Sequence, residues 1–270
     1  MEFLTTFEST IRASIFFVLL AGFAIIEAVF PRRARVQNRI RRWLTNGSLV
    51  VIGTLTLRFF LPIAAMGMSA LADERGLGLL NLTNWPIWVE IVVALIVLDM
   101  AIYWQHVAMH RVPILWRLHQ VHHADRDIDV STGVRFHPIE IVVSMIFKMV
   151  CVLALGVPVA AVLIFEIVLN ACAMFNHANI NLGVGVDRIL RCLLVTPDMH
   201  RVHHSAIPEE TNRNFGFSIA LWDRLFGTYL AQPQAGHLNM TIGLEGFQRE
   251  GPERLSWSLL RPLRRQWTGN

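Results

Sequence analysis

The chain has 270 residues, 54% of them hydrophobic and 16% charged, with a mean hydropathy of +0.46 and a formal net charge of +4. A soluble chain carries about 25% charged residues, so the composition excludes an ordinary soluble domain and points to membrane spans. The positive balance does not call for nucleic acid, because the basic residues lie beside apolar runs, where they meet anionic headgroups.

In chain order, the first apolar run covers 11–30, with Glu27 as its one acid near the end. No basic segment leads it and no small-residue cleavage site follows, so a retained membrane helix is expected rather than a secretory signal. "PRRARVQNRIRRW" (31–43) comes next and is strongly basic. A second span is expected over 49–71 with Arg58 inside, followed by a near-neutral loop, "ADERGLGLLNLTN". A third covers 85–105. The fourth run, 139–175, is too long for one helix and contains "GVP" at 156–158. Proline disfavours continuation, so two helices or a re-entrant hairpin are expected there, broken near Pro158.

By the positive-inside rule the 31–43 loop is cytoplasmic. The N-terminus then faces outward, and 106–138 and 177–270 fall on the cytoplasmic side with every histidine. The expected fold class is all-α: a polytopic membrane helix bundle of four to five membrane helices, or with a re-entrant hairpin, under a cytoplasmic histidine-rich helical cap. The expected division is 1–95 for the N-terminal membrane helices, 96–232 for a histidine-bearing domain including the 139–175 hairpin, and 233–270 for a basic C-terminal tail. Cys151, Cys172 and Cys192 lack paired spacing and read as apolar residues of a reducing compartment. Lys148 is the single lysine beside 23 arginines.

The chemistry lies in the histidines. Six of the eleven occur in two copies of His-Xaa2-His-His, "HQVHH" at 119–123 and "HRVHH" at 200–204. His106 and His110 are four apart and so share a helix face. Asp99 and Tyr103 continue that stripe. Asp99 is a candidate to accept a ligand histidine's second N–H, or else to line a polar cavity or pair with Arg58. His119, His122 and His123 share a face, as do His200, His203 and His204. His137 precedes Pro138, His177 follows the hairpin, and His237 stands alone. Buried unpartnered imidazoles are costly and clustered imidazolium ions repel. Metal ions resolve both difficulties, since neutral imidazole is a common ligand. Ten candidates are too many for one ion, so two ions with four or five imidazoles each are expected. Zinc-protease, Walker A, dinucleotide and serine-elbow motifs are absent. No catalytic residue beyond the metal site is therefore expected. Nitrogen ligands alone suit iron, copper or zinc.

The ordered boxes 106–110, 119–123 and 200–204, together with "YWQH", "RFHPIE", "NHANI", "TPDMHRVHHS" and "NFGFSIALWDRLFGTY", resemble the fatty acid hydroxylase / sterol desaturase superfamily, in particular its bacterial sterol-desaturase-like branch. The likeness covers about 95–230. The resemblance implies an integral-membrane, non-haem di-iron oxygenase that hydroxylates or desaturates a lipid C–H bond with O2 and external electrons. Its implied ligands are His106, His110, His119, His122, His123, His200, His203 and His204; His177 matches the isolated histidine after the hairpin, and His137 the His-Pro of the sterol-type members. Where some members carry a second histidine after position 177, this chain has Asn181, so His137, Asn181 or water is left to complete the second ion. Candidates for the surrounding shell are Asp99, Tyr103, Asn181 and Asp198. Asp223 and Arg224 are a possible ion pair. Two iron ions are the implied cofactors, with zinc as a possible substitute. The implied partners are a bilayer lipid and a separate cytoplasmic electron donor of ferredoxin, cytochrome or reductase type, in a bacterial inner membrane. The alternative is a zinc-dependent membrane hydrolase using the same histidines.

Overall fold

The computed structural model describes residues 2–249 and 251–264; the part of the expected basic tail at 265–270 lies outside them. Nine helices set the frame: α1 (Glu2–Val29), α2 (Arg39–Phe60), α3 (Ala64–Arg75), α4 (Ile87–Arg111), α5 (Pro113–His123), α6 (Pro138–Leu155), α7 (Val159–His177), α8 (Val184–Leu190) and α9 (Pro197–His203). Short helical turns fill much of the remainder, and the described residues pair as strands only in isolated bridges. The fold is all-α.

Among the described residues, five segments are long and apolar enough to cross a membrane: Phe7–Val29, Arg39–Leu82, Ile87–Arg111, Pro138–Leu155 and Val159–His177. At 25 residues, α4 is about 37 Å long, enough for a hydrocarbon core of about 30 Å. The second segment departs from the expected continuous span. Pro62 has no N–H to donate and pushes Leu61 out of helical geometry (φ −134°, ψ 66°), so α2 stops at Phe60 and α3 starts at Ala64. The 139–175 run is two helices. Gly156 closes α6 in the left-handed region (φ 69°), and Pro158 precedes α7. Gly78 (φ 95°) approaches this turn so closely that a Cβ there would sit 2.1 Å from the Gly156 nitrogen, and glycine alone fits.

α2 and α3 pack on α6, α1 packs on α7, and α4 packs on α5, α6 and α7. An apolar core between α3, α4, α6 and α7 includes Ala65, Leu98, Val152, Ala161 and Phe165. At one end of the bundle the basic 31–43 segment folds over the histidine segments. Arg32 pairs with Asp198 (3.1 Å), Arg33 donates to the His237 and Met240 carbonyls (2.8 and 2.7 Å), and Arg42 is buried against Asp125 and Asp129. The arginine-rich segment and all three histidine boxes therefore share one side of the bundle.

Candidate metal centre

Prolines shape the helices that carry the boxes. α5 begins at Pro113 and α9 at Pro197, each after an extended residue, Val112 and Thr196. Proline in this first position sacrifices no helical hydrogen bond. Val112 ends α4 and starts α5, and this corner brings His110 to His123, Nε2 to Nε2 at 3.1 Å. Thr196 caps α9 by accepting from the Met199 N–H (3.3 Å), and its hydroxyl donates to Asp187. Such a cap contributes about 1 kcal/mol.

Nine imidazoles converge in two groups. His106, His110, His119, His123 and His203 form the first; His122, His177, His200 and His204 form the second. Within each group the ligand-capable nitrogens all lie within 4.8 Å of one another. The two His-Xaa2-His-His boxes are each divided between the groups, because neighbouring helical residues point about 100° apart, whereas His106 and His110 both face the first. His119 and His123 face the first group and His122 the second; the other box sends His200 and His204 to the second group and His203 to the first. α4 completes the first group and the end of α7 the second.

The protons show what these groups can hold. His106 Nδ1 donates to the Phe215 carbonyl and His203 Nδ1 to the Arg213 carbonyl, both at 2.8 Å. A neutral imidazole has one N–H, so the Nε2 atoms of this pair, 3.0 Å apart, face each other as bare lone pairs. The same holds for His122, which donates to the Arg135 carbonyl (3.2 Å), and His177, which donates to the Ala173 carbonyl (2.7 Å); their Nε2 atoms are 3.1 Å apart. His119 Nε2 is buried with no partner among the described residues. Protonation is not the remedy. Burial, then the charge of neighbouring rings, pushes His122, His123, His200 and His204 well below the ordinary imidazole value. Burial also drives His203 down to about 3, against the opposing Arg213 carbonyl. A shared cation satisfies these lone pairs. Nitrogens bound at about 2.1 Å and at right angles on one ion lie about 3.0 Å apart, close to the observed spacing. The donor set fits transition-metal ions.

His137 lies outside both groups, contrary to expectation. Pro138 opens α6 and leaves His137 extended (φ −67°, ψ 138°), so its Nδ1 caps the helix by accepting from the Ile139 N–H (3.2 Å). Its Nε2 meets the Leu259 carbonyl (3.2 Å). Asn181 is exposed and accepts from the Gly183 N–H. Asp198 binds Arg32 and Arg201, which fastens α9 to the 31–43 segment. Asp99 accepts from the Trp222 indole (2.8 Å) and the Ile219 N–H (3.2 Å), and the Tyr103 hydroxyl bonds Thr228 (2.8 Å). Both therefore hold the 215–228 segment, which carries the Phe215 carbonyl, rather than an imidazole directly. Asp223 is not paired with Arg224. It accepts from the Phe215 and Gly216 N–H groups and from Thr228, while Arg224 stacks on Tyr229.

The acid behind a ring is Glu140, whose Oε1 accepts from His119 Nδ1 at 2.6 Å. Sequence reasoning missed it, although "HPIE" places it three positions after His137. Asp125 and Asp129, which lock Arg42, were also missed. Their sign is a run of alternating acids directly after the 119–123 box.

A cavity of about 190 Å³ opens beside the first group. His106, His119 and Glu140 form one end; Ile102, Met109, Phe136, Ile141, Met145 and Phe217 give it apolar walls. Lys148 and Asn170 lie farther along α6 and α7.

A fatty acid hydroxylase family model matches residues 91–228. An ornithine lipid hydroxylase from Rhizobium tropici is 25% identical over 240 residues, 86% of this chain and 70% of that protein. Human alkylglycerol monooxygenase is 27% identical over 238 residues, 88% of this chain and 51% of its own length. Human lathosterol oxidase is 26% identical over 212 residues, 77% of this chain and 67% of the oxidase. The chain thus spans about half the length of the human monooxygenase. No solved structure matches. These relatives are named as oxidising enzymes of lipids, which favours an oxygenase over the hydrolase alternative.

Proposed function

The chain belongs to the fatty acid hydroxylase family, and from that premise we propose that it is a membrane-bound di-iron oxygenase which hydroxylates or desaturates a C–H bond of a lipid. One observation carries the reading: nine imidazoles converge in groups of five and four, and His106 and His119 of the first group form one end of a largely apolar cavity between membrane helices.

The first group would hold one iron and the second the other; bound there, they would supply the activation of O2 that an unactivated C–H bond requires. The chain's own residues do the rest. Backbone carbonyls of Phe215, Arg213, Arg135 and Ala173 fix the Nδ1 protons of four rings, which aims Nε2 inward. The Glu140 carboxylate does the same for His119 by accepting from its Nδ1. Phe136 stacks on His122 at 4.6 Å between centroids and, with Phe217 and Ile141, excludes water from the cavity. An acyl or terpenoid chain reaches this end from the bilayer between α4, α6 and α7.

The chain has no flavin, haem or dinucleotide motif, so the electrons come from a separate donor of ferredoxin, cytochrome or reductase type. It docks on the face carrying the 31–43 arginines. The positive-inside rule makes that face cytoplasmic, with the N-terminus outward, in a bacterial inner membrane. The test is product formation from a lipid extract under air and under argon, each with and without a reductase system, alongside metal analysis of protein purified without added metal. Turnover is expected only with both air and reductant, with iron bound. Full turnover under argon without reductant overturns the oxygenase reading.

A further inference from the structure

The one lysine of the chain lines the cavity. Lys148 lies eight positions beyond Glu140 on α6, about 12 Å along the axis from the imidazole end. Its ammonium pairs with Glu166 of α7 at 2.8 Å, Glu166 pairs with Arg12 of α1 at 2.7 Å, and Arg12 pairs with Glu8 at 2.6 Å. Two acids and two bases make this cluster electrically neutral. An ammonium has three donors, and Glu166 is the one acceptor it meets among the described residues. A clamp between helices would be served by arginine, the base used at every other cationic position. Lysine differs by offering a compact charge with freely rotating donors, here turned to a cavity that otherwise has mostly apolar walls.

We propose that Lys148 is a substrate-recognition residue: its ammonium donates to an uncharged acceptor oxygen, a hydroxyl, ether or carbonyl, of a lipid whose chain extends to the His106 and His119 end. The inference rests on the oxygenase reading for what happens at that end. The choice of a neutral group follows from charge. The cluster is already balanced, so a carboxylate or phosphate brought to this depth would stand uncompensated in apolar surroundings. A pure hydrocarbon would leave the remaining ammonium protons unmet. Substrate selection is thus set by the distance between an acceptor oxygen and the reacting carbon.

Three photoreactive probes test this: a long-chain alcohol, the matching hydrocarbon and the matching carboxylate, each with a mid-chain diazirine. Purified protein in nanodiscs is illuminated, and labelling of peptides containing Phe136, Ile141 and Phe217 is read by mass spectrometry. Labelling needs neither O2 nor reductant, so it succeeds or fails independently of the oxygenase reading. The alcohol is expected to label these peptides about tenfold or more over the other two, the worth of one hydrogen bond to a charged group. Lys148→Met should erase the preference for alcohol over hydrocarbon. Glu166→Gln leaves the cluster one charge positive and should shift the preference toward the carboxylate. Equal labelling by alcohol and hydrocarbon in the unaltered protein overturns the proposal, whatever the variants do. An undiminished preference in folded Lys148→Met does the same and leaves the ion pair as a helix clamp.

Discussion

Glu140 puts a carboxylate 2.6 Å behind the ring of His119 and keeps its second oxygen buried, without a partner among the described residues. Glu140→Gln preserves shape and one acceptor but removes the carboxylate that holds the His119 Nδ1 proton. Metal affinity or activity should fall about 10–100-fold, while circular dichroism stays unchanged; metal content after dialysis against a chelator checks this. His122 and His137 give a sharper contrast. His122→Ala removes a nitrogen from the second group and should reduce metal content and abolish turnover. His137→Ala removes a helix cap and should cost about 1 kcal/mol with metal content intact. Equal metal loss in both would restore His137 to the site. At this scale the spacings of three and four made the convergence of the boxes legible. The atoms that orient the rings were not legible. Four are backbone carbonyls, which carry no residue-type signal, and Asp99, although on the right stripe, turns to Trp222 instead.

The 215–228 segment works as one element against α4. Asp99 and Tyr103 grip it from the membrane side, Asp223 closes it on itself through Phe215, Gly216 and Thr228, and its Phe215 carbonyl orients His106. A Cβ on Gly216 would lie 2.6 Å from Asp223 Oδ2, so a side chain there would displace the carboxylate that closes the turn. Asp99→Asn retains an acceptor for Trp222 and should be mild. Asp99→Leu leaves two donors unpaired in the interior, a loss of about 1–3 kcal/mol each, and should lower Tm equally in metal-loaded and metal-free protein. A fall in metal affinity at unchanged Tm would make Asp99 part of the metal site itself. Among the spans, the break at Gly156 and Pro158 was legible because the run was too long for one helix. The break at Pro62 was hidden because averaged hydropathy stays high across "LRFFLPIAAMG" and is blind to a single missing N–H.

Across the whole molecule, two independent features place the 31–43 segment and the histidines on one side: the distribution of arginines along the chain, and the buried contacts of Arg42. The first was legible; the second required long-range geometry, since Arg42 and Asp125 are 83 positions apart. Arg42 is fully buried. It gives Nε and Nη2 to Asp125 (2.7 and 2.8 Å) and Nη1 to Asp129 (2.7 Å), with Thr132 beside it at 3.1 Å. This joins the start of α2 to the loop after the 119–123 box, and so the first two spans to the metal-binding half. Planar, bidentate pairing of this kind suits arginine and not lysine. Arg42→Met keeps the volume but strands two buried carboxylates, which should cost about 3–5 kcal/mol. Adding Asp125→Asn and Asp129→Asn removes the stranded charge, so the triple variant should recover much of the loss even though the pairing is gone. Tm and the monodisperse fraction after detergent extraction measure both variants, and metal content reports whether the second group follows the fold or fails first. No recovery in the triple variant would mean that the pairing itself, rather than the isolation of two charges, holds the halves together.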